Sequence, residues 1–367
     1  MPARTPSRCV VVKVGSNALA AKGVGLHAPT LRRLAEEIAD LRDSGVQVCL
    51  VSSGAILAGR ERLGLKTRPS TTELKQAAAA VGQSRLMRAW EAAFARRRVT
   101  VAQVLLTRDD VRDRRRYLNA RATLRALLSL GVVPIVNEND TVSADEIKFG
   151  DNDVLSALVA ELCDAGRLVL LTDQEGLYTA DPRVDPAATL IAEHGSARAV
   201  VGGAGPSGSG GMSSKVGAAT LAAQAGIDAV IASGLRKGAL LSAARGEAVG
   251  TRFPAKPVSL DKRRRWLAYA CDPRGQIVVD EGARRALVTG LKSLLPSGVR
   301  SVARDFEAGD VVSLVEGGVE FARGLTNYGA RELSKIMGKK TAEISLLLGH
   351  KPADEVVHRD NLAVLEP

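Results

Sequence analysis

A lysine inside an aliphatic segment is the first residue of this chain that could do chemistry. Lys13 stands in the run Val10-Val11-Val12-Lys13-Val14, which reads as a β-strand and breaks at Gly15-Ser16-Asn17. A buried lysine is costly unless an anion lies close to its ammonium group, and the backbone N–H groups of a glycine-containing turn favour the same anion. Lys13 is therefore a candidate phosphate ligand. The alternative is an edge strand whose lysine points into water.

A second cationic segment lies much later in the chain. The segment Gly208-Ser209-Gly210-Gly211-Met212-Ser213-Ser214-Lys215 is rich in glycine, ends in a lysine and opens an amphipathic stretch. Glycines let phosphate oxygens approach the backbone closely, and the first turn of the following helix offers free N–H groups and a positive charge. The segment predicts a phosphate-binding loop, although Lys215 does not stand where a Walker A lysine would. A flexible surface loop is the alternative.

Acidic and amide residues crowd two neighbouring segments in the middle of the chain. Asn137-Glu138-Asn139-Asp140 is followed by Lys148-Phe149-Gly150-Asp151-Asn152-Asp153, which opens an apolar helical stretch. Asparagine and aspartate oxygens suit an α-amino group, and Lys148 together with helix N–H groups suits a carboxylate or a phosphate. A single residue such as Asp153 would cap the helix, so capping explains only part of the cluster. We infer an amino-acid substrate.

The chemistry that these groups favour is phosphoryl transfer to a carboxylate. No arrangement of Ser, Cys or His indicates a covalent nucleophile, and the four histidines fall outside the polar segments. An ionised carboxylate is already nucleophilic. Catalysis then requires alignment of the reactants and neutralisation of charge on the phosphoryl group, which lysines and Mg²⁺ supply.

A doubly wound α/β domain would position these residues. Short aliphatic runs alternate with longer amphipathic stretches, which is typical of a mostly parallel sheet with helices on both faces. The predicted strands are 9–14, 46–52, 100–106, 132–136, 167–172 and 227–232. The predicted helices are 31–41, 73–94, 119–130, 154–162 and 215–225. Small or polar residues follow the strand ends, where ligands bind in such sheets.

The pattern changes in the last third of the chain. We predict an α/β domain over residues 1–255, a basic, proline-containing connector over 256–274 and a second, smaller and mainly β domain over 275–355. The prediction of the second domain rests on short β-like runs separated by glycine-bearing turns and on one helical stretch. These are 276–279, 299–302, 311–315 and 320–322, with the helix at 330–337.

The composition indicates a globular protein and narrows its partners. The 367 residues carry a net charge of +11, and only 3% of them are aromatic. Because stacking rings are so few, we prefer a polyanionic substrate and do not expect an RNA partner. The apolar runs are too short for a membrane span or a signal peptide, so we expect a cytoplasmic protein. The four cysteines are expected to be reduced core residues.

Six motifs follow one another along the chain: Val12-Lys13-Val14-Gly15-Ser16, Ser52-Ser53-Gly54-Ala55-Ile56, Val136-Asn137-Glu138-Asn139-Asp140, Gly150-Asp151-Asn152-Asp153, Leu171-Thr172-Asp173 and Ser209-Gly210-Gly211-Met212-Ser213-Ser214-Lys215. Taken together they resemble the amino acid kinase family. The tail from Gln276 to Gly298 is similar to a PUA domain. The resemblance implies ATP-dependent phosphorylation of the γ-carboxylate of L-glutamate to γ-glutamyl phosphate, the first step of proline biosynthesis.

The resemblance also implies roles for individual residues. Lys13 and Lys215 would hold and neutralise the transferring phosphoryl group, and Asp153 would orient them. Glutamate would be bound by Ser53, Asp140 and Asn152, in a pocket lined by Gly54, Asn137, Lys148 and Asp151. ATP, with Mg²⁺ on its phosphates, would be bound by Lys13, Gly15, Thr172, Asp173, Ser209, Gly210, Gly211, Met212, Ser213, Ser214 and Lys215.

Partners follow from the same resemblance. Family members are commonly inhibited by proline at the glutamate site and oligomeric through the kinase domain, which implies proline as feedback inhibitor and a homo-oligomer. Because an acyl phosphate is labile, a glutamyl phosphate reductase is a further expected partner. The departures are small: Ser52 and Ser209 stand where threonine is usual, and the segment before the glycine loop is short. The alternatives are a kinase of aspartate, N-acetylglutamate or a nucleoside monophosphate, or an RNA-binding protein.

Overall fold

The chain forms two compact units, residues 1–258 and 259–367. The computed structural model describes residues 9–20, 25–142, 152–182, 185, 187–195, 211–257, 267–268 and 273–365. Each unit has its own sheet and its own hydrophobic core. The domain limits 1–255, 256–274 and 275–355 stay predictions.

The first unit is built on a seven-stranded sheet. Its strands are β1 (Cys9–Val14), β2 (Gln47–Ser52), β3 (Val101–Leu106), β4 (Val133–Glu138), β5 (Arg167–Thr172), β6 (Asp228–Ser233) and β7 (Thr251–Phe253). Their order is β3-β4-β2-β1-β5-β6-β7, and all neighbours are parallel except β6 with β7. The mostly parallel α/β sheet is confirmed. The prediction lacks β7 because three residues are too few to show a periodic pattern.

Helices connect these strands and cover the sheet. Those described in the first unit are α1 (Ser16–Leu19), α2 (Ala28–Asp43), α3 (Ala55–Arg62), α4 (Thr72–Phe94), α5 (Arg108–Arg112), α6 (Arg114–Ser129), α7 (Asn152–Leu162), α8 (Met212–Gln224) and α9 (Ala239–Arg245). Three of them begin at side-chain caps: Thr71 caps α4, Thr107 caps α5 and Asp113 caps α6. Each cap satisfies a backbone N–H group that the helix leaves without a partner.

The helices α3 and α4 pack more closely than ordinary side chains allow. A Cβ added at Gly59 would lie 1.8 Å from the carbonyl oxygen of Ala78, and one at Gly82 would lie 1.8 Å from that of Ala55. Only glycine leaves room for such a contact between two backbones. The contact sets the position of α4 relative to the start of α3, which directly follows β2.

The strand order reverses direction at β1. β1 lies between β2 and β5, and the chain continues from these neighbours toward opposite edges of the sheet. Ligands bind outside the carboxyl ends of the strands at such a reversal of strand order. Val14 at the end of β1 is level with Ser52 of β2 and Leu171 of β5. The polar residues that follow these strands therefore meet at one edge.

The second unit contains a five-stranded sheet. Its strands are β8 (Gly275–Val279), β9 (Val299–Ala303), β10 (Val311–Glu316), β11 (Val319–Thr326) and β12 (Val357–Val364), and its described helices of five or more residues are α10 (Glu281–Val288), α11 (Ala330–Ile336) and α12 (Ile344–Leu348). The order is β12-β11-β10-β8-β9, with β8 and β10 parallel and the other neighbours antiparallel. The mainly β second domain is confirmed.

The edge strand β12 lies beyond residue 355, the expected end of the second domain. It pairs with β11 and carries the polar residues His358, Arg359 and Asp360 in its first half. Edge strands often carry charged residues, and these interrupt the aliphatic pattern by which the other strands were predicted.

The cysteines that the structure describes, Cys9, Cys49 and Cys163, are buried free thiols, as expected. Cys271 lies outside the described residues. In the described part of the chain no helix combines the length and the apolar character that a membrane crossing requires.

Candidate active site

Two lysines that are distant in sequence share one carboxylate at the carboxyl edge of the sheet. Lys13 comes from β1, Asp153 from the first turn of α7 and Lys215 from the first turn of α8. Lys13 Nζ pairs with Asp153 Oδ1, and Lys215 Nζ lies 3.1 Å from Asp153 Oδ2. The exposed fractions are 2% for Lys13, 0% for Asp153 and 7% for Lys215. The structure thus brings together the three residues expected to be catalytic.

The carboxyl of Asp153 is held in its charged form. Burial by itself opposes ionisation of Asp153, but the two lysines and the hydrogen bonds from Lys13 and Ser214 outweigh it and hold the pKa of the carboxyl below its usual range. Two buried ammonium groups thus meet at one buried carboxylate. Ammonium groups held in such a place attract an anionic ligand. The cluster is therefore suited to a phosphoryl group.

Ser214 joins the cluster to the start of α8. Its hydroxyl donates to Asp153 Oδ2 at 2.7 Å and also lies 2.9 Å from the carbonyl oxygen of Gly211, the N-cap residue of the helix. The first turn of this helix, which carries Lys215, presents backbone N–H groups that favour an anion. Gly211, Met212, Ser213, Ser214 and Lys215 are described, whereas Ser209 and Gly210 lie outside the described residues.

A chain of amide side chains lies next to this cluster. Asn152 Nδ2 donates to Ser53 Oγ at 3.0 Å and to Asn137 Oδ1 at 2.9 Å. Asn137 Nδ2 donates in turn to Gln83 Oε1 at 2.8 Å. Of the residues expected to bind glutamate, the structure thus joins Ser53, Asn137 and Asn152, while Lys148 and Asp151 lie outside the described residues. Gln83 was not predicted from the sequence.

Gln83 belongs to the long helix α4, far in sequence from every motif. It stands on the face that also carries Leu86 and Trp90, both fully buried. Trp90 Nε1 donates to Ser52 Oγ at 2.9 Å, so this face makes hydrogen bonds to two strand ends. A single glutamine at helical spacing from buried apolar residues is the signal that could have identified it.

Gly54 and Asp140 lie two residues beyond the ends of β2 and β4. Gly54 is the N-cap residue of α3 and has φ +115°, a left-handed conformation that other residues rarely adopt. Asp140 is half-buried. Burial and, after it, the charge of Glu138 raise the pKa of Asp140 to about 6. A cation beside Asp140, such as an α-ammonium group, would relieve this unfavourable environment.

The expected nucleotide residues Thr172 and Asp173 follow β5. Thr172 Oγ1 donates to Asp173 Oδ1 at 3.0 Å, and Asn17 Nδ2 donates to Asp173 Oδ2 at 3.2 Å. The N–H group of Gly15 donates to Leu171 O at 3.3 Å, so it is not directed at a ligand. A Cβ at Gly15 would lie 3.7 Å from Lys13 Nζ, which is an ordinary van der Waals contact. Within the described residues no group of three or more His, Cys, Asp or Glu could hold a metal ion.

Known proteins are similar in sequence to this chain along nearly its whole length. Residues 8–233 match the amino acid kinase family model, and residues 275–348 match the PUA domain model. A glutamate 5-kinase of Moorella thermoacetica is 52% identical over 369 residues, covering 99% of this chain and 98% of that protein. A glutamate 5-kinase of a Geobacter species is 49% identical over 362 residues, covering 97% of each chain.

Among solved structures, a UMP kinase from Bacillus anthracis overlaps with a TM-score of 0.46 at 16% identity, over 69% of this chain and 98% of that one. The match of residues 8–233 to the family model and the half-identical relatives lead to one conclusion. This protein belongs to the amino acid kinase family.

Proposed function

We propose that this protein transfers the γ-phosphoryl group of ATP to the γ-carboxylate of glutamate, which yields γ-glutamyl phosphate and ADP. The relatives that are about half identical along the chain are named glutamate 5-kinase, and the PUA domain extends the likeness beyond the kinase domain. The observation that carries the proposal is the buried cluster in which Lys13 and Lys215 both reach the carboxylate of Asp153.

The chemistry requires no covalent enzyme intermediate. A γ-carboxylate oxygen forms a bond to the γ-phosphorus, the bond from that phosphorus to the bridging oxygen breaks, and the electron pair leaves on ADP. Lys13 and Lys215 neutralise the charge of the transferring group, and Asp153 holds both ammonium groups in place. Because these side chains are buried and ion-paired before substrates bind, little reorganisation accompanies the reaction.

The nucleotide would lie between β5 and the start of α8. Thr172 and Asp173 form one side, and the N–H groups of the first turn from Met212 form the other. Both carboxylate oxygens of Asp153 are engaged by Lys13, Ser214 and Lys215. The donor set thus fits Mg²⁺ that is carried by the ATP phosphates, where it would neutralise their charge.

The substrate would be an amino acid with a free ammonium group. Asp140 and the oxygen of Asn152 are acceptors, and N-acetylglutamate would leave Asp140 without a cationic partner. We also propose proline as a feedback inhibitor at this pocket, a homo-oligomer, transfer of the labile product to a glutamyl phosphate reductase, and a cytoplasmic location where ATP is available. These proposals rest on the family resemblance.

The function is tested by trapping the acyl phosphate. Purified protein is incubated with ATP, Mg²⁺ and hydroxylamine, with glutamate, aspartate or N-acetylglutamate in parallel. We expect hydroxamate from glutamate alone and its suppression by proline. Hydroxamate from aspartate or N-acetylglutamate in place of glutamate would reassign the substrate, and no hydroxamate from any of them would overturn the proposal. Loss of the signal in Asp153→Asn would tie the activity to this site.

A further inference from the structure

The hydrogen bonds that join the amide side chains next to the lysine cluster run in one direction, from Asn152 through Asn137 to Gln83. Asn137 Nδ2 donates to Gln83 Oε1, so the acceptor of Gln83 is used and its Nε2 group is left. Asn152 Nδ2 donates to both Ser53 and Asn137, so its Oδ1 is left. These two atoms, Gln83 Nε2 and Asn152 Oδ1, are buried and have no hydrogen-bond partner among the described residues. Buried polar atoms without partners are rare in native proteins and indicate a missing ligand.

The two ends of this row of amide side chains offer opposite hydrogen-bonding groups. Gln83 offers an N–H donor and Asn152 offers a carbonyl acceptor. The α-carbon of an amino acid carries groups of the matching kinds, since its carboxylate accepts and its ammonium group donates. We propose that Gln83 binds the α-carboxylate of the substrate and is a specificity-determining residue for the proposed glutamate kinase activity, on which this inference rests.

The position of these amide side chains relative to the lysine cluster gives the orientation of the substrate. Asn152 directly precedes Asp153, so the acceptor end lies next to the lysine cluster, and Gln83 lies two hydrogen bonds farther away. A substrate with its γ-carboxylate at Lys13 and Lys215 then extends its α-carbon along the amide chain. This arrangement places the α-carboxylate, not the reacting carboxylate, at Gln83.

The helix that carries Gln83 is held firmly. Gly82 packs directly on the backbone of α3, and Trp90, two helical turns later on the same face, donates to Ser52. Both contacts lie where α4 meets the end of β2 and the start of α3, the same segment that supplies Ser53 to the pocket. Substrate selection benefits from such a preorganised donor, because no binding energy is used to position it.

The test separates recognition of the α-carboxylate from support of Asn137. Gln83→Glu keeps an oxygen that accepts from Asn137 but replaces the donor with a negative charge. Wild type, Gln83→Glu and the control Ser84→Ala, an exposed neighbour on α4, are assayed by hydroxamate formation. The substrates are glutamate and isoglutamine, which has a carboxamide in place of the α-carboxylate and keeps the γ-carboxylate and the ammonium group.

In Gln83→Glu we expect kcat/KM for glutamate to fall by about 10- to 100-fold, mainly through KM, as for the loss of a charge-assisted hydrogen bond. Activity with isoglutamine should be kept or raised. The ratio of kcat/KM for glutamate to kcat/KM for isoglutamine should therefore fall, and KM for ATP should not change. Ser84→Ala should match the wild type. Gln83→Leu, which loses the bond to Asn137 as well, should also lose selectivity.

Two results would overturn the inference. Equal losses with glutamate and isoglutamine in Gln83→Glu would show that Gln83 only supports Asn137, and no loss with either substrate would show that it does not contact the substrate. In both cases an active wild type leaves the proposed function standing. A wild type that forms no hydroxamate from glutamate would overturn the proposed function and this inference together.

Discussion

Asp153 is the residue on which the proposed reaction depends most. It accepts from Lys13, Ser214 and Lys215, and its side chain is fully buried. The sequence around each lysine indicated an anion in advance, because Lys13 stands among aliphatic residues and Lys215 ends a glycine-rich segment that opens a helix. That the same carboxylate would serve both lysines was not readable from either segment.

Lys215→Ala should lower kcat by about 10²- to 10³-fold, because the positive charge stabilises the transferring phosphoryl group most strongly in the transition state. KM for glutamate should change much less. Steady-state hydroxamate kinetics measure both, with the exposed Lys256→Ala as a matched control. A kcat within about threefold of the wild type, with folding intact, would contradict the role of Lys215.

The raised pKa of Asp140 predicts a pH dependence of substrate binding. Above about pH 6 its carboxylate is ionised and attracts the ammonium group, and as the pH falls through about 6 it is protonated and the attraction is lost. Thus kcat/KM for glutamate should fall below that pH. In Asp140→Asn this inflection should vanish, and kcat/KM should be low throughout. An inflection that persists in the variant would assign it to another group.

At the scale of elements, the contact between α3 and α4 determines the substrate pocket. Gly59 and Gly82 let the two backbones touch, Gly54 starts α3, and Gln83 and Trp90 extend from α4. The long helix was predicted nearly to its ends, since its alanine-rich sequence favours helix throughout. Which face it buries, and against what, depends on residues far away along the chain.

Two helix glycines form a matched pair for testing this contact. Gly82→Ala would place a Cβ 1.8 Å from the backbone oxygen of Ala55 and should destabilise the protein by about 1–3 kcal/mol or more. Gly217→Ala, in α8, would meet nothing within 4 Å and should stabilise it by about 0.5–1 kcal/mol. Urea unfolding measures both. Equal effects of the two substitutions would contradict the close packing.

At the scale of the whole molecule, each of the two units has its own core, so we expect ligands of the first unit to stabilise that unit and not the second. The first core includes Val12, Leu34 and Trp90, and the second includes Ile277, Leu314 and Tyr328. ATP and glutamate bind to the first unit in our proposal, and a ligand stabilises the state that binds it, by about 2.7 kcal/mol at one hundred times its Kd.

Hydrogen exchange followed by mass spectrometry checks this expectation peptide by peptide. With a nonhydrolysable ATP analogue and glutamate, exchange should slow in β1, α7 and α8, while β10 and β11 should keep their rates. Protection that spreads equally over both sheets would show that the two units unfold together. The unliganded protein at the same salt concentration is the control.

The sequence by itself determined the classes of structure and chemistry. Aliphatic runs alternating with amphipathic stretches are local patterns, and they led to the parallel sheet and to the second, mainly β unit. Lys13 was identified because a charged side chain among aliphatic residues needs a partner, Lys215 because it ends a glycine-rich segment that opens a helix, and Asp153 through the family resemblance.

Only the tertiary structure decided which groups meet. Gln83 reaches Asn137 because α4 packs on α3 through Gly82. The N–H group of Gly15 donates to the carbonyl oxygen of Leu171 on the neighbouring strand. The strand β12 is defined by its pairing with β11 and not by an aliphatic pattern. Local patterns can be read from the sequence because each residue type has its own preference for buried or exposed positions. Hydrogen bonds between distant segments depend instead on the geometry that packing of the whole fold provides.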